Sequence, residues 1–339
     1  MSSVLLQNTQ AIALSHDYTT SSLHAYQVPN IGGGVGLIDQ YRERMIGENV
    51  YRQVQRQMPV IHDIWLEEQL MSVFSHIVGQ SQSQQPIALL LIDDAQINAF
   101  AVPGGLFAMN TGLILSAKNM GEVAGVMAHE VAHVSQRHYS RSKETFKGQS
   151  LLALAGILVG AAVAAKADGE AGTAVMMGTQ AALMNKQLSY SRDQEREADR
   201  IGMQYLYAAG YDPHHMANFF ETMHRQSPQV GFLPEFWLTH PLTSDRMSEA
   251  RLRANQYPKL SPHLAQSQQH YQQQQHFDLI QLYSGVISKK TSEAQLLALM
   301  KQKNSQATLA LAAYYVRKNE WQKAEQILKN FQPSVEQQV

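Results

Sequence analysis

The sequence predicts an α+β fold that is mostly helical, with a small β-sheet beside a central helix. Two observations support this prediction. Apolar residues recur three or four positions apart through most of the chain, which is the spacing of amphipathic helices. The exception is a group of short apolar runs on either side of Pro103-Gly104-Gly105, which is typical of strands joined by a tight turn.

Composition limits the kinds of site that the chain can carry. It has 339 residues, 44% of them hydrophobic and 16% charged, which favours packed domains over disorder. The 27 basic and 28 acidic side chains nearly cancel, so the net charge gives no reason to expect a nucleic-acid partner. There is no cysteine, so any metal must be bound through nitrogen and oxygen.

Shifts in composition divide the chain into three parts. Residues 1–36 are polar and end in a glycine-rich stretch, so we expect a flexible N-terminal arm. Residues 37–258 carry the central helix and the strands, and we expect them to form the main domain. Residues 259–339 begin with a glutamine-rich stretch and continue as helical segments.

The first half of the main domain has the patterns of two helices followed by a sheet. Helices are predicted over 38–58 and 61–78, separated by Pro59. A strand is predicted over 86–92, and a hairpin is predicted from 97–102 and 106–109.

Several helix starts are marked by side chains that can cap them. Asn119 with Glu122 marks the start of the central helix, and Ser191 with Gln194 marks a later helix that ends near Gly210. Further helices are predicted to begin after Asp212-Pro213 and at Thr243 or Ser244, the latter running to about Tyr257.

Two apolar segments, 151–165 and 171–184, read as a hairpin of helices rich in small residues. The first is 15 residues long, shorter than the ~20 needed to span a bilayer. Three interpretations stay open: helices buried over the core, a face that rests on a membrane, or a lid over the functional site.

A metal-binding motif lies on the central helix, at His129-Glu130-Val131-Ala132-His133. Residues four apart share one face of a helix, so both imidazoles can occupy adjacent corners of a zinc tetrahedron. Glu130 can then take a proton from the water that attacks a carbonyl carbon. The motif predicts one zinc ion per chain, with His129 and His133 as ligands and Glu130 as general base.

The third ligand is predicted to be Glu195, four residues before Asp199 on a shared helix face. Asp199 would support a ligand imidazole, while Glu197 would point away. The alternative is a solvated face of ion pairs. His138 would be rotated about 140° from His133 on a continuing helix, so we expect it to be structural or exposed. His214 and His215 are expected at a solvated helix start.

The C-terminal part contains one clear helix–turn–helix, over 307–317 and 321–328. Small residues at Ala310, Ala313 and Ala324 match the spacing of one tetratricopeptide repeat. Such repeats bury their faces against neighbours, so we expect this one to belong to a longer array.

Three motifs together resemble a known family. His-Glu-Val-Ala-His is followed by Ser-Arg-x-x-Glu-x-x-Ala-Asp and then by His240-Pro241. This combination resembles the HtpX-like zinc metallopeptidases, and most closely their soluble periplasmic branch with C-terminal tetratricopeptide repeats. The resemblance covers about residues 37–335 and implies a gluzincin-type metallopeptidase core.

The resemblance implies roles for further residues. His240 matches a histidine that can cap the zinc and hold the enzyme inactive, and Arg246 matches a position implicated in stabilising the oxyanion. The strand around Asn98, Ala99 and Phe100 matches the edge to which substrate adds as an extended strand.

The resemblance also implies a biological role. It is that of a periplasmic endopeptidase with a chaperone-like function, acting on misfolded or stalled outer-membrane β-barrel proteins and docking on the barrel-assembly machinery through its repeats. Residues 151–184 match segments that lie over the active site in relatives, and peripheral membrane contact is a further expectation. Two other functions stay open: an assembly factor with a latent or vestigial zinc site, and a zinc hydrolase of non-peptide substrates.

Overall fold

A computed structural model describes residues 37–81, 88–141, 191–230, 236, 240–260, 276–302, 304–329 and 331. The expected N-terminal arm and the expected helical hairpin over 151–184 lie outside these residues.

The chain alternates long helices with one short group of strands. The strands are β1 (Val60–Ile61), β2 (Ala88–Ile92), β3 (Ala99–Val102) and β4 (Leu106–Asn110). The helices are α1 (Leu37–Gln57), α2 (Ile64–Gly79), α3 (Thr111–Ser116), α4 (Met120–Ser135), α5 (His138–Arg141), α6 (Arg192–Ala208), α7 (His214–Val230), α8 (Ser244–Ala254), α9 (Phe277–Ile287), α10 (Glu293–Lys301), α11 (Ser305–Arg317) and α12 (Trp321–Lys329). The predicted class, mostly helical with a small sheet, is confirmed.

The four strands form one mixed sheet in the order β1-β2-β4-β3. Strands β2 and β4 run parallel, and the other two pairings are antiparallel. The predicted hairpin is therefore β3–β4, with β3 at one edge of the sheet. Its turn needs glycine at Gly104, where φ is 87° and an added Cβ would lie 2.4 Å from the Glu43 carbonyl oxygen of α1.

The predicted caps form and set where three helices begin. The Asn119 side chain accepts a hydrogen bond from the backbone N–H of Glu122 at 3.0 Å, and Ser191 and Gln194 form a reciprocal capping box. Of the two candidates for the third cap, Thr243 is the residue used. These caps matter for function because α4, α6 and α8 surround the metal-binding motif.

Two predicted helix bounds were wrong. The segment predicted to continue α2 back to Ile61 instead pairs with β2 as β1, and α2 begins at Ile64 because the Asp63 carboxylate caps it. Ile64, the first residue of α2, is exposed although the apolar spacing of the segment predicts that it faces the core. At the other boundary, α8 ends at Ala254 rather than near Tyr257.

Helix α4 lies at the centre of the main core. Every residue from Met120 to His133 is buried, against β3 and helices α2, α6 and α7. Small residues permit this close packing. A Cβ added to Gly125 would lie 3.0 Å from the Cα of Met216 on α7, and one added to Gly202 on α6 would lie 3.0 Å from the carbonyl oxygen of Ala128.

The C-terminal helices pack in two ways. Helix α9 joins the main core through Phe277 and Ile280, and its Tyr283 hydroxyl donates to Asp63 at 2.6 Å. Helices α10 to α12 share a smaller apolar cluster around Leu296 and Leu311. The division at residue 258 and the tetratricopeptide assignment stay predictions, although α9 packs on the domain before it.

Within the described parts of the chain, no helix is both long and apolar enough to cross a membrane.

Candidate metal centre

Helices α4 and α6 and the segment before α8 bring four potential metal ligands to one point. They are His129, His133, Glu195 and His240, and each offers a ligand atom within 4.8 Å of the others. All four are buried, with at most 2% of the surface of any of them exposed. The structure therefore brings together the three ligands expected from the sequence and adds His240 as a fourth.

The distances within this cluster match a metal site. His129 Nε2 lies 3.0 Å from His133 Nε2, and His240 Nδ1 lies 3.1 Å from Glu195 Oε1 and 3.4 Å from His129 Nε2. The Glu195 carboxylate lies 3.5 Å from both histidines of the motif. Ligand atoms that bond zinc at about 2.0–2.2 Å in a tetrahedron lie about 3.3 Å from one another.

Hydrogen bonds on the far side of each ring define which nitrogen faces the cluster as an acceptor. His129 Nδ1 lies 3.0 Å from the Asp199 carboxylate, so Nδ1 carries the proton. His133 Nδ1 lies 2.9 Å from His138 Nδ1, and His138 Nε2 lies 3.0 Å from Glu197 Oε2. Glu197 can only accept, so His138 donates from Nε2 and accepts from His133.

This assignment leaves two lone pairs facing each other. Both His129 Nε2 and His133 Nε2 are then unprotonated, and they are 3.0 Å apart. This contact is relieved by a positive charge between the two nitrogens: a proton, which the raised pKa of His129 favours when no metal is bound, or a metal ion. The donor set therefore fits a metal ion, with nitrogen and carboxylate oxygen ligands of the kinds that zinc takes.

Arg246 connects two carboxylates of α6, Glu195 and Asp199, to the residues just before α8. Its Nε and Nη2 donate to the two oxygens of Asp199 at 2.9 and 2.8 Å. Its Nη1 lies 2.7 Å from Glu195 Oε2 and donates to the Pro241 carbonyl at 2.8 Å. The expected oxyanion role of Arg246 stays a prediction. In this structure Arg246 positions Glu195, the expected third ligand, and Asp199, the carboxylate that contacts His129.

The charge balance of the site favours ionised carboxylates. Burial opposes the charged form of Glu195, but His240 and Arg246 hold its pKa well below the usual range. Burial likewise opposes ionised Asp199, and Arg246 and His129 lower its pKa. Burial lowers the pKa of His129, yet the Asp199 and Glu195 carboxylates reverse this and raise it to about 9. Two buried carboxylates therefore attract a cation.

Glu130 lies beside the ligands rather than among them. Its Oε1 is 3.4 Å from His240 Nε2, and its carboxylate accepts a hydrogen bond from the backbone N–H of Ala101 on β3. Burial raises the pKa of Glu130. A carboxylate with a raised pKa suits a group that takes up a proton and later releases it.

The edge strand β3 passes close to Glu130. Within the described residues, no strand pairs with the outer edge of β3, which carries Ala99 and Phe100. Phe236 borders the start of this strand, with its N–H 3.4 Å from the Ile97 carbonyl oxygen, and its ring stacks on His240 at 4.5 Å between centroids. The substrate-binding role expected of Asn98, Ala99 and Phe100 stays a prediction.

Sequence reasoning missed the contribution of His138 and Glu197. His138 was expected to be structural or exposed, because a continuing helix would carry it away from His133. Helix α4 ends at Ser135, and Arg137 adopts a left-handed conformation with φ of 55°. The chain therefore turns back, and His138 lies fully buried against His133. The spacing of the motif does not predict that turn.

The histidine pair at the start of α7 also differs from expectation. His214 and His215 are both half-buried rather than solvated. His214 contacts Asp212 and Asn255 at 2.7 and 2.9 Å, and the ring of His215 packs over Gly121 of α4. Neither belongs to the metal-binding cluster.

Comparison with known proteins gives the family. Residues 64–254 match peptidase family M48. The chain is 39% identical over 244 residues to a putative β-barrel assembly-enhancing protease of Vibrio cholerae and 37% identical over 248 residues to the β-barrel assembly-enhancing protease of Yersinia pestis. These matches cover 70% and 72% of this chain but 50% of each relative. The chain thus spans about half the length of these curated relatives.

A more distant relative is the mitochondrial metalloendopeptidase OMA1 of Schizosaccharomyces pombe, 28% identical over 211 residues, which are 60% of this chain and 59% of that protein. The matched family segment contains all four clustered ligands, the adjacent Glu130 and the arginine that holds the carboxylates of α6. The chain therefore belongs to peptidase family M48, which confirms the family resemblance drawn from its motifs.

Proposed function

We propose that this chain is a zinc-dependent endopeptidase, with His129, His133 and Glu195 as zinc ligands and Glu130 as general base. One observation carries the proposal. Four buried ligand atoms converge beside a carboxylate with a raised pKa, in a chain of a peptidase family. Two histidines and one glutamate are a ligand set that catalytic zinc takes in metallopeptidases.

The residues of this chain have distinct tasks in peptide hydrolysis. His129, His133 and Glu195 would hold a zinc ion, which would supply Lewis acidity toward the scissile carbonyl and the attacking water. Glu130 accepts the proton of that water and delivers it to the departing amine. The outer edge of β3 binds an extended peptide through backbone hydrogen bonds, next to the Ala101 amide that contacts Glu130.

His240 is proposed to hold the enzyme latent. Its Nδ1 faces the ligand cluster and its Nε2 faces Glu130 at 3.4 Å. A catalytic zinc site keeps one position open for water or substrate, and with zinc bound His240 would fill that position. Replacing His240 with alanine should therefore raise basal proteolysis. Unchanged or lower activity would assign His240 to catalysis or to packing instead.

The biological role is proposed from the relatives. Proteins named β-barrel assembly-enhancing proteases match this chain, which favours unfolded or stalled outer-membrane β-barrel proteins as substrates in the periplasm. Helices α9 to α12 would belong to a repeat region that docks on the barrel-assembly machinery. The segment 151–184 would cover the active site or rest on the membrane surface.

A second function is an assembly factor whose metal site stays closed. The position of His240 in the cluster favours it, because His240 would take the place on a bound metal that water needs. This function predicts binding of unfolded barrel proteins without cleavage, under every condition that keeps the chain folded.

The deciding experiment compares the wild-type chain with Glu130→Gln and with Glu122→Gln as a matched control. Glu122 is also a buried glutamate of α4, but it accepts a hydrogen bond from the Lys118 backbone, away from the cluster. We expect all three to contain one zinc per chain, and only Glu130→Gln to lose cleavage of an unfolded outer-membrane barrel protein. Normal cleavage by Glu130→Gln would contradict the general-base role. Zinc binding without cleavage by the wild type or by His240→Ala would favour the assembly factor.

A further inference from the structure

The second histidine of the motif is supported by another histidine rather than by a carboxylate. His133 Nδ1 lies 2.9 Å from His138 Nδ1, and His138 Nε2 lies 3.0 Å from Glu197 Oε2. Arg141 in turn donates to the same oxygen of Glu197 at 2.8 Å. A continuous series of polar contacts therefore runs from the ligand cluster to the protein surface.

The position of His138 is fixed from three sides. Its backbone carbonyl accepts a hydrogen bond from the Gln194 side chain at 2.9 Å, so the first turn of α6 holds it in place. The left-handed residue before it, Arg137, is bound by the Glu43 carboxylate of α1. The imidazole itself is fully buried. The left-handed turn at Arg137, which costs free energy, and the contacts with Gln194 and Glu43 therefore all fix the position of His138.

The chemistry of the ring suits an acceptor for His133. One ring nitrogen of His138 faces the Glu197 carboxylate and the other faces His133. Because the Glu197 carboxylate can only accept, Nε2–H of His138 donates to it, which leaves Nδ1 as the acceptor. His133 must then donate from Nδ1 and present the lone pair of Nε2 to the cluster.

We propose that His138, oriented by Glu197, is a positioning residue that fixes the tautomer and ring orientation of His133 as a metal ligand. The inference rests on the proposed function only in taking His133 as a ligand. Groups behind a metal-bound histidine commonly contribute about 10–100-fold to metal affinity. Here the carboxylate acts through an intervening imidazole, whereas Asp199 acts directly on His129.

The test measures zinc affinity of the full chain by competition with a chromophoric chelator, together with the visible absorption spectrum of the cobalt-loaded protein. His138→Leu removes the acceptor, while His138→Asn keeps an oxygen acceptor near the position of Nδ1. His214→Asn is the matched control, because the ring of His214 contacts Asp212 and Asn255 and does not belong to the ligand cluster.

We expect His138→Leu to weaken zinc binding by about 10–100-fold and to change the cobalt spectrum. His138→Asn should restore affinity to within a few-fold of wild type, and His214→Asn should leave both readouts unchanged. Equal loss in the Leu and Asn variants, or no loss in either, would overturn the inference while leaving metal binding by the wild type intact. A wild type that binds no metal would overturn the proposed function as well.

If His138→Leu does not fold, Glu197→Ala provides the second test. Glu197 lies near the surface, so its truncation leaves the core intact, but His138 is then free to adopt the other tautomer. Zinc affinity should fall, by less than for the loss of the acceptor itself. Wild-type zinc affinity and an unchanged cobalt spectrum in folded Glu197→Ala would contradict the proposal that Glu197 acts on His133 through His138.

Discussion

The two histidines of the metal-binding motif are supported in different ways. Behind His129 lies Asp199, a buried carboxylate that accepts hydrogen bonds from Nε and Nη2 of Arg246. Behind His133 lies a neutral imidazole, His138, and only then a carboxylate, Glu197, which pairs with Arg141 near the surface. Both carboxylates come from α6, where they are two positions apart, and that helix also supplies Glu195, the proposed third ligand.

The difference shows how one helix can serve two ligands with unequal surroundings. The charges behind His129 are shielded from water, so each depends on its partner to stay ionised. The charges behind His133 are partly solvated, with 41% of the Arg141 side chain and 17% of the Glu197 side chain exposed. Changes behind His129 should therefore have large effects that salt does not alter, and changes behind His133 should have smaller effects.

The largest effect is expected for Arg246→Met. It leaves Asp199 and Glu195 as buried carboxylates without their shared cation, which costs about 3–5 kcal/mol in comparable buried pairs. The free energy of unfolding in urea, measured on the metal-free chain, should fall by that amount. A loss below about 1 kcal/mol, the range of an exposed pair, would show that Arg246 does not hold the site together.

A smaller effect is expected for Asp199→Ala on metal affinity. Removal of the group that orients His129 should weaken zinc binding by at least the 10–100-fold typical of such contacts, since Asp199 also anchors Arg246. Chelator competition measures this directly, with Glu197→Ala as the matched variant. If Glu197→Ala weakened zinc more than Asp199→Ala, the proposed ranking of the two supports would be reversed.

A pH effect is expected from Glu197. Burial alone would raise its pKa, but Arg141 and His138 lower it below the ordinary value. Its ionised form therefore stabilises the folded chain above the unfolded-state pKa of about 4.5, and this contribution is lost as pH falls through the lower folded-state value. Glu197→Gln should flatten that part of the stability curve in acid. If the stability of the wild type and of Glu197→Gln fell in the same way at acid pH, ionised Glu197 would not contribute to the stability of the folded chain.

The smallest effect is expected for Arg141→Ala. Its ion pair with Glu197 is partly exposed, so its removal should cost about 0–1 kcal/mol and less at high ionic strength. Urea unfolding at low and high salt measures both quantities. A large loss of unfolding free energy that persists at high salt would mean that the charges behind His133 are as well shielded from water as those behind His129.

Local signals were enough to predict the frame of the site. Asn119 and Ser191 mark the starts of α4 and α6 because their side chains satisfy the first backbone N–H groups of those helices. The spacing of His129 and His133 follows from helix geometry alone. The Pro-Gly-Gly turn of the hairpin is likewise local, since its glycines adopt positive φ.

What the sequence did not predict depends on contacts between distant segments. The guanidinium of Arg246 meets Asp199 from 47 positions along the chain, and the resemblance to relatives suggested a different role for it. His138 meets His133 only because Arg137 reverses the chain direction, and Arg137 is bound by Glu43 of α1. Periodicity carries no information on such tertiary contacts.

X-ray absorption at the zinc edge of the zinc-loaded full chain tests the central claim most directly. We predict one zinc per chain with nitrogen and oxygen neighbours at about 2.0–2.1 Å and the scattering of three imidazole rings, and two rings in His240→Ala. Substoichiometric zinc, or fewer than three imidazoles in the wild type, would contradict the account of His129, His133, Glu195 and His240 as one metal centre.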